Sequence, residues 1–146
     1  MDLIYYLLAF VAGLFLTIQV GVNSTLRHSL GSPAVAALAS FVVGLVSLAV
    51  FVVLSRQSLP TKAAMSAAPA WAWLGGTFGA FYVATSVIVG PRLGSVALLA
   101  LSVLGQLLAS LIVDHYGWLG FPQHEITVAR LFGAVLLFGG VLLVVR

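Results

Sequence analysis

The 146-residue chain has no cysteine and very little charge. Only six basic and three acidic side chains are present, and charged residues make up 6% of the sequence. The absence of cysteine excludes disulfides, thiolate catalysis and cysteine-ligated metals. A soluble domain carries about a quarter charged residues, so these nine charges cannot cover a globule in water. With 62% hydrophobic residues, the composition is that of an integral membrane protein.

Signals for catalysis and for nucleic-acid binding are also missing. The basic residues lie singly near the ends of apolar segments and form no patch, so no nucleic-acid partner is expected. His115, His124 and Glu125 share one loop region but lack metal-ligand spacing, and there is no phosphate-binding loop, dinucleotide fingerprint or nucleophile elbow. We therefore predict a protein that is not an enzyme and has neither a metal nor a cofactor.

Long apolar segments occupy most of the chain. Each is close to the roughly 20 residues that a helix needs to cross a hydrocarbon core of about 30 Å. Only helices satisfy their own backbone groups over such a length in lipid. The sequence predicts an all-α, multi-pass membrane protein with a single transmembrane domain over residues 1–146. The predicted helices are 3–26, 33–54, 71–89, 93–113 and 129–145.

The basic residues are divided equally between the two sides of the membrane that five crossings define. One side has Arg56, Lys62 and Arg130, and the other has Arg27, Arg92 and Arg146. The positive-inside rule then gives no preferred orientation. Two interpretations remain open: an orientation set weakly by one loop or by the first helix, or insertion both ways with assembly as an antiparallel homodimer.

Polar side chains inside the apolar segments are the candidate substrate contacts, because such groups are expensive in hydrocarbon. Gln19 and Asn23 lie four residues apart on the first helix, and Ser102 and Gln106 share a stripe on the fourth. Tyr82 lies in the third helix. These residues either form hydrogen bonds between helices or line a cavity for a small solute, and the sequence leaves both roles open.

Two of these amides, Gln19 and Gln106, are predicted to lie at similar distances from the ends of their helices. Gln19 and Gln106 each lie about 10 Å before the predicted end of their helix, at 1.5 Å per residue. The two helix ends are on opposite sides, so an inverted partner brings its Gln19 level with Gln106. An antiparallel dimer would therefore have two equivalent polar layers.

No charged residue lies in the middle of a predicted span. Asp114, at the end of the fourth helix, is a candidate for coupling, although it also suits an interfacial charge that orients the helix end. Arg92, in the tight connection before that helix, is a candidate for gating or for attracting an anion, although an interfacial arginine explains it equally. Proton coupling through a membrane-embedded carboxylate is not expected.

Several linked motifs extend over nearly the whole chain. They are Gln19-x-x-x-Asn23-x-x-Leu26, Gly31-Ser32-Pro33, Ser40-Phe41-x-x-Gly44, Trp73-Leu74-Gly75-Gly76-x-x-Gly79-Ala80-x-Tyr82, Pro91-Arg92-Leu93-Gly94, Gly105-Gln106-Leu107 and Asp114-His115-Tyr116-Gly117. Together these motifs resemble the YdcZ family of the drug/metabolite transporter superfamily. The resemblance implies a five-helix unit equivalent to half of a ten-helix transporter, located in the bacterial inner membrane. It also implies dual-topology homodimers among the members, and it supplies no firm substrate.

These observations predict a small-solute transporter that works by alternating access as an antiparallel homodimer in the lipid bilayer. A neutral or amphiphilic small molecule suits the amide-rich lining better than a bare ion. The alternatives are a passive dimeric pore and a non-transporting structural membrane subunit.

Overall fold

The computed structural model describes residues 2–146, and these residues form helices and connecting loops without a strand. Five of the helices are long and apolar enough to cross a membrane, which confirms the predicted all-α fold. The helices are α1 (Asp2–Leu30), α2 (Pro33–Leu54), α3 (Lys62–Ala67), α4 (Gly75–Leu93), α5 (Ser95–Tyr116) and α6 (Val128–Val145).

The chain forms two compact units, Met1–Arg92 and Leu93–Arg146. In the first unit α1 packs along α2, and in the second α5 packs along α6. The single transmembrane domain expected for residues 1–146 stays a prediction.

The junction between α1 and α2 follows standard capping chemistry. Gly31, with φ 70°, ends α1 and donates its N–H to the carbonyl of Arg27 at 2.9 Å, a left-handed conformation that glycine adopts without strain. Ser32 caps α2 by accepting from the N–H of Val35, and Pro33 takes the first helical position, where its missing N–H is not needed. α1 therefore continues four residues beyond the predicted end, since the helix stops at its glycine and not where hydrophobicity falls.

α4 also extends beyond the end expected from Gly90-Pro91. A 3-10 turn, Ala70–Leu74, leads into α4, and the helix continues through Pro91 to Leu93. A proline inside a helix removes the bond to the carbonyl four residues earlier, here that of Val87. The Arg27 guanidinium occupies this acceptor, with Nη1 2.9 Å from the Val87 oxygen. The lost backbone donor is thus replaced by a side chain from α1.

The buried core of the first unit is small. It consists of Ala36 and Ala37, near the start of α2, and Val83 and Val87, in the C-terminal half of α4. Three partly buried residues pack against this cluster: Leu26, Tyr82 and Ala84. Small residues let helices approach closely in membranes, where dispersion and not the hydrophobic effect holds helices together. Most large apolar side chains are exposed, as expected for surfaces that face lipid or another helix.

In the second unit, the loop after α5 folds back onto the end of that helix. The His124 N–H donates to the Asp114 carbonyl at 2.8 Å, and the Gln123 side-chain amide donates to the His115 carbonyl at 2.9 Å. Gly117, directly after α5, adopts a left-handed conformation with φ 62°. The last carbonyls of α5, which lack intrahelical donors, are satisfied in this way.

Candidate functional site

Three polar residues follow one face of α1 near its C-terminal end. Gln19, Asn23 and Arg27 recur every four residues in a continuous helix, so each lies about 40° around the axis from the one before it. We call these residues the α1 stripe. Arg27 belongs to it only because α1 continues to Leu30.

Gln19, the first residue of the stripe, is exposed and lines a groove between α1 and α2 of about 270 Å³. Ser40 supplies the second polar group of the lining. The remaining residues are apolar or small, namely Phe41, Gly44, Leu45 and Leu48. One amide and one hydroxyl above an apolar wall suit a small molecule with a polar end and an apolar body.

Asn23, the second residue, is buried, with only 3% of its surface exposed. Its Nδ2 is buried without a hydrogen-bond partner. A buried donor without an acceptor costs about 1–3 kcal/mol, and most buried polar groups in proteins are paired. Asn23 is therefore a donor that lacks its acceptor in the single chain.

Arg27, the third residue, is half-buried and donates to the Val87 carbonyl. That bond satisfies part of the guanidinium fork but leaves its charge unbalanced, because a carbonyl is neutral. The sequence has no aspartate or glutamate between residues 3 and 92. The stripe therefore combines two amides with a cation that has no carboxylate partner in that part of the chain.

The other predicted substrate contacts have different surroundings. Tyr82 is half-buried and packs against the α2–α4 core. Ser102 is half-buried, and its hydroxyl donates to the Leu98 carbonyl of its own helix at 2.8 Å. Gln106 is exposed in the middle of α5. Of the five predicted contacts, Gln19 and Asn23 are neighbours in α1, and the binding role of all five stays a prediction.

Asp114 forms an ion pair that the sequence did not predict. Arg130 Nη1 lies 3.4 Å from Asp114 Oδ2, with side-chain exposures of 38% and 28%. The pair borders a groove of about 260 Å³ that also contains Leu107, Ser110 and Leu111. It joins the C-terminal end of α5 to the first turn of α6. Arg92, the other residue considered for coupling or gating, is exposed in the last turn of α4.

Three residues of these sites were not found by sequence reasoning. Arg27 could have been found, because its spacing continues that of Gln19 and Asn23 and the next glycine is Gly31. Ser40 was noticed only as part of a motif, since its position beside Gln19 depends on how α1 packs against α2. Arg130 was counted as an interfacial charge, and no local signal pairs it with Asp114.

Among the side chains of residues 3–146, no three histidine, aspartate or glutamate groups come together as a metal site would require.

Five apolar helices with polar groups inside the spans define a small multi-pass membrane protein. The comparison with known families agrees with this class: residues 4–143 match the family model described as "Putative inner membrane exporter, YdcZ". The chain belongs to the YdcZ family, as the sequence motifs indicated. It is a multi-pass protein of the inner membrane and a membrane transporter. No curated protein and no solved structure matched it significantly.

Proposed function

We propose that the protein carries a small amphiphilic or neutral solute across the inner membrane by alternating access, as an antiparallel homodimer. Ten helices would surround a central cavity, and one five-helix bundle would rock against its inverted copy, as in transporters built from inverted repeats. This arrangement corresponds to that of the ten-helix members of the drug/metabolite transporter superfamily.

The observation that carries the proposal is the exposure of two amides in the middle of membrane-spanning helices. Gln19 in α1 and Gln106 in α5 are both exposed on the single chain. A primary amide that faces lipid loses its hydrogen bonds with water and gains none. A second copy that covers these amides would remove this cost and would turn the two surfaces into the walls of a polar cavity.

The positions of the two amides along their own helices suit an inverted partner. Gln19 lies about 16 Å before the C-terminal end of α1, and Gln106 lies about 15 Å before that of α5, at 1.5 Å per residue. Both distances exceed the 10 Å expected from the sequence, because both helices end later than predicted. In an antiparallel dimer the partner's α1 would end on the same side as α5. Gln19 of one copy would then come level with Gln106 of the other, near the midplane.

The proposed cavity contacts are the five residues identified from the sequence: Gln19, Asn23, Tyr82, Ser102 and Gln106. The amides would supply the hydrogen bonds to the solute. Tyr82 and Ser102 would form the walls, since Tyr82 is engaged in core packing and the Ser102 hydroxyl is engaged with its own helix.

Single-cysteine labelling of whole cells tests the dual topology directly, because the chain has no cysteine of its own. Ser58→Cys, in the loop after α2, and Ser29→Cys, at the end of α1, report the two sides. An impermeant reagent should label each site in about half of the molecules. Complete labelling of one site and none of the other would exclude the antiparallel homodimer.

Cross-linking tests the match between the two amide layers. Two copies with different tags, one with Gln19→Cys and one with Gln106→Cys, should form a mixed disulfide. Leu108→Cys is the control for Gln106→Cys, because it lies at nearly the same height on the opposite face of α5. Equal cross-linking of both pairs would contradict the proposed interface.

Flux measurements separate the proposal from its two alternatives. Accumulation against a gradient that an uncoupler abolishes supports alternating access, whereas flux that only dissipates a gradient supports a passive pore. Absence of flux for every solute, with stability lost when Gln19 or Gln106 is replaced, would support a structural subunit.

A further inference from the structure

The α1 stripe offers hydrogen-bond donors and a positive charge to any ligand that reaches it. Gln19 and Asn23 each carry an amide N–H₂ group, and Arg27 carries a fork of N–H donors. The only acidic residue of the first 92 is Asp2, at the opposite end of α1 and about 38 Å away along the helix axis. Residues 3–92 therefore supply no carboxylate to pair with Arg27.

The buried amide of Asn23 points to the same kind of partner. Its Nδ2 is a donor without an acceptor, and the side chain lies one turn from Arg27. A group with acceptor oxygens at this level would satisfy the amide and balance the guanidinium together. Hydrogen bonds between charged partners are about twice as strong as neutral ones.

The other end of the stripe is suited to an apolar tail. The groove beside Gln19 continues along α2 from Ser40 toward Leu48. Gln19 and Ser40 are its two polar residues, and the rest of its lining is Phe41, Gly44, Leu45 and Leu48. α2 runs back from the end of α1, so Leu45 and Leu48 lie on the side of Gln19 away from Arg27. Ser40 and Phe41 lie about level with Asn23. A polar end and an apolar end thus follow one another along the helix.

We propose that the solute is an amphiphilic anion whose acidic headgroup binds Asn23 and Arg27 and whose apolar body lies in the groove beside Gln19. This inference rests on the proposed transport function, because access to the buried Asn23 amide requires the opening movement that alternating access provides. It assigns to Arg27 the anion-attracting role that the sequence suggested for Arg92.

Binding to the purified full-length protein, in uncharged detergent, tests the headgroup. Octanoate, octylammonium and octanol share an apolar chain and differ in charge, and their binding can be followed by tryptophan fluorescence and by the melting temperature. Octanoate should bind at least about tenfold more tightly than the other two, the ratio that corresponds to one charge-assisted hydrogen bond. Preference for octylammonium, or equal binding of all three, would overturn the proposal.

Variants assign the binding to the stripe. Arg27→Gln removes the charge and keeps a polar side chain with an N–H₂ group, and it should weaken octanoate binding at least about tenfold. Arg92→Gln, a substitution of an exposed arginine on the same side, should leave binding unchanged. If Arg27→Gln does not fold, the double variant Arg27→Gln with Pro91→Ala restores a backbone donor to Val87 and serves in its place. Equal loss in the Arg27 and Arg92 variants would overturn the assignment.

Asn23→Leu separates a ligand-binding role from a structural one. If the Asn23 amide binds a ligand, Asn23→Leu should leave the melting temperature of the ligand-free protein unchanged or higher and should still weaken octanoate binding. A lower melting temperature with octanoate binding retained would show that Asn23 serves only the fold.

Two further experiments, with anionic nanodiscs and with proteoliposomes, separate failure of the anion site from failure of the transport function. Stabilisation by anionic phospholipid in nanodiscs, dependent on Arg27, without octanoate binding would mean that the headgroup belongs to a lipid and would overturn the assignment of a soluble solute. If octanoate binds through Arg27 but is not accumulated by proteoliposomes, the anion site stands and the transport function fails. If octylammonium is accumulated instead, transport stands and the anion class fails.

Discussion

Arg27 and Val87 are joined by a hydrogen bond between a guanidinium in α1 and a main-chain carbonyl in α4, although 60 residues separate them in sequence. The carbonyl is available because Pro91, four residues later, has no N–H to offer it. Val87 is 1% exposed, so water cannot take the place of Arg27. One side chain therefore satisfies the end of α4 and links that end to α1.

We expect the effects of Arg27→Ala and Pro91→Ala on stability to be coupled. Alone, Arg27→Ala leaves a buried carbonyl without a donor and should lower the unfolding free energy by about 1–3 kcal/mol. In the Pro91→Ala background the new alanine supplies a backbone N–H to that carbonyl, so the loss should be smaller. Unfolding of the four proteins of a double-mutant cycle measures the coupling. Additive losses would mean that Arg27 stabilises the protein by another route.

Replacement of Gln19 by leucine should impair assembly without harming the fold of the chain. The side chain is exposed on the single chain, so its loss removes no buried hydrogen bond within the protomer. Polar contacts between membrane helices contribute about 0.6 kcal/mol on average and at most about 2, so dimerisation should weaken severalfold. Light scattering of the purified protein across a detergent dilution series measures this change.

Phe15→Leu is the control for Gln19→Leu, because Phe15 is an exposed apolar residue one turn earlier in α1. It should leave both assembly and stability unaffected. Loss of chain stability in Gln19→Leu, with dimerisation unchanged, would identify the amide as a contact between helices of one protomer.

The ion pair between Asp114 and Arg130 should contribute little to stability. Both groups are about one-third exposed and share a single contact at 3.4 Å, and exposed pairs are typically worth about 1 kcal/mol or less. Asp114→Asn should therefore shift the unfolding free energy by less than about 1 kcal/mol. A large loss of transport with this small shift in stability would give Asp114 a role in coupling. If transport and stability fell together, the role of Asp114 would be limited to joining α5 and α6.

Gly117→Ala should destabilise the end of α5 more than Gly120→Ala does. Both glycines have positive φ, at 62° and 85°, so both alanines incur backbone strain of about 1–2 kcal/mol. Only at Gly117 would the new Cβ meet another group, the Gln123 Cβ at 3.2 Å. The melting temperature should therefore fall further for Gly117→Ala. Equal shifts would mean that the loop after α5 yields without cost.

The sequence predicts the number and nature of the spans because hydrophobicity and length are local properties. The bounds of α2 agree with the prediction, since Ser32 and Pro33 start the helix by interactions within one turn. The ends of α1 and α4 differ for two physical reasons. α1 ends at Leu30, directly before Gly31, and not at Leu26, where the apolar segment was expected to end. α4 passes Pro91 because the donor that replaces its lost bond comes from a distant helix.

The candidate site is predicted less completely. The common face of Gln19 and Asn23 follows from their spacing, but their opposite environments do not. Gln19 is exposed and Asn23 is buried because neighbouring helices cover one turn of α1 and leave the turn before it open. The lining of the groove by α2 residues and the pair between Asp114 and Arg130 depend on the same tertiary contacts.

The length of α1 relates the protein to the thickness of its membrane. Its 29 residues measure about 43 Å at 1.5 Å per residue, whereas the hydrocarbon layer is about 30 Å thick. α1 must therefore tilt or extend into the headgroup region, as helices with excess length do. A thinner bilayer would move Arg27 toward the headgroups and a thicker one would draw it inward. Lipid chain length should therefore tune how strongly α1 holds the end of α4.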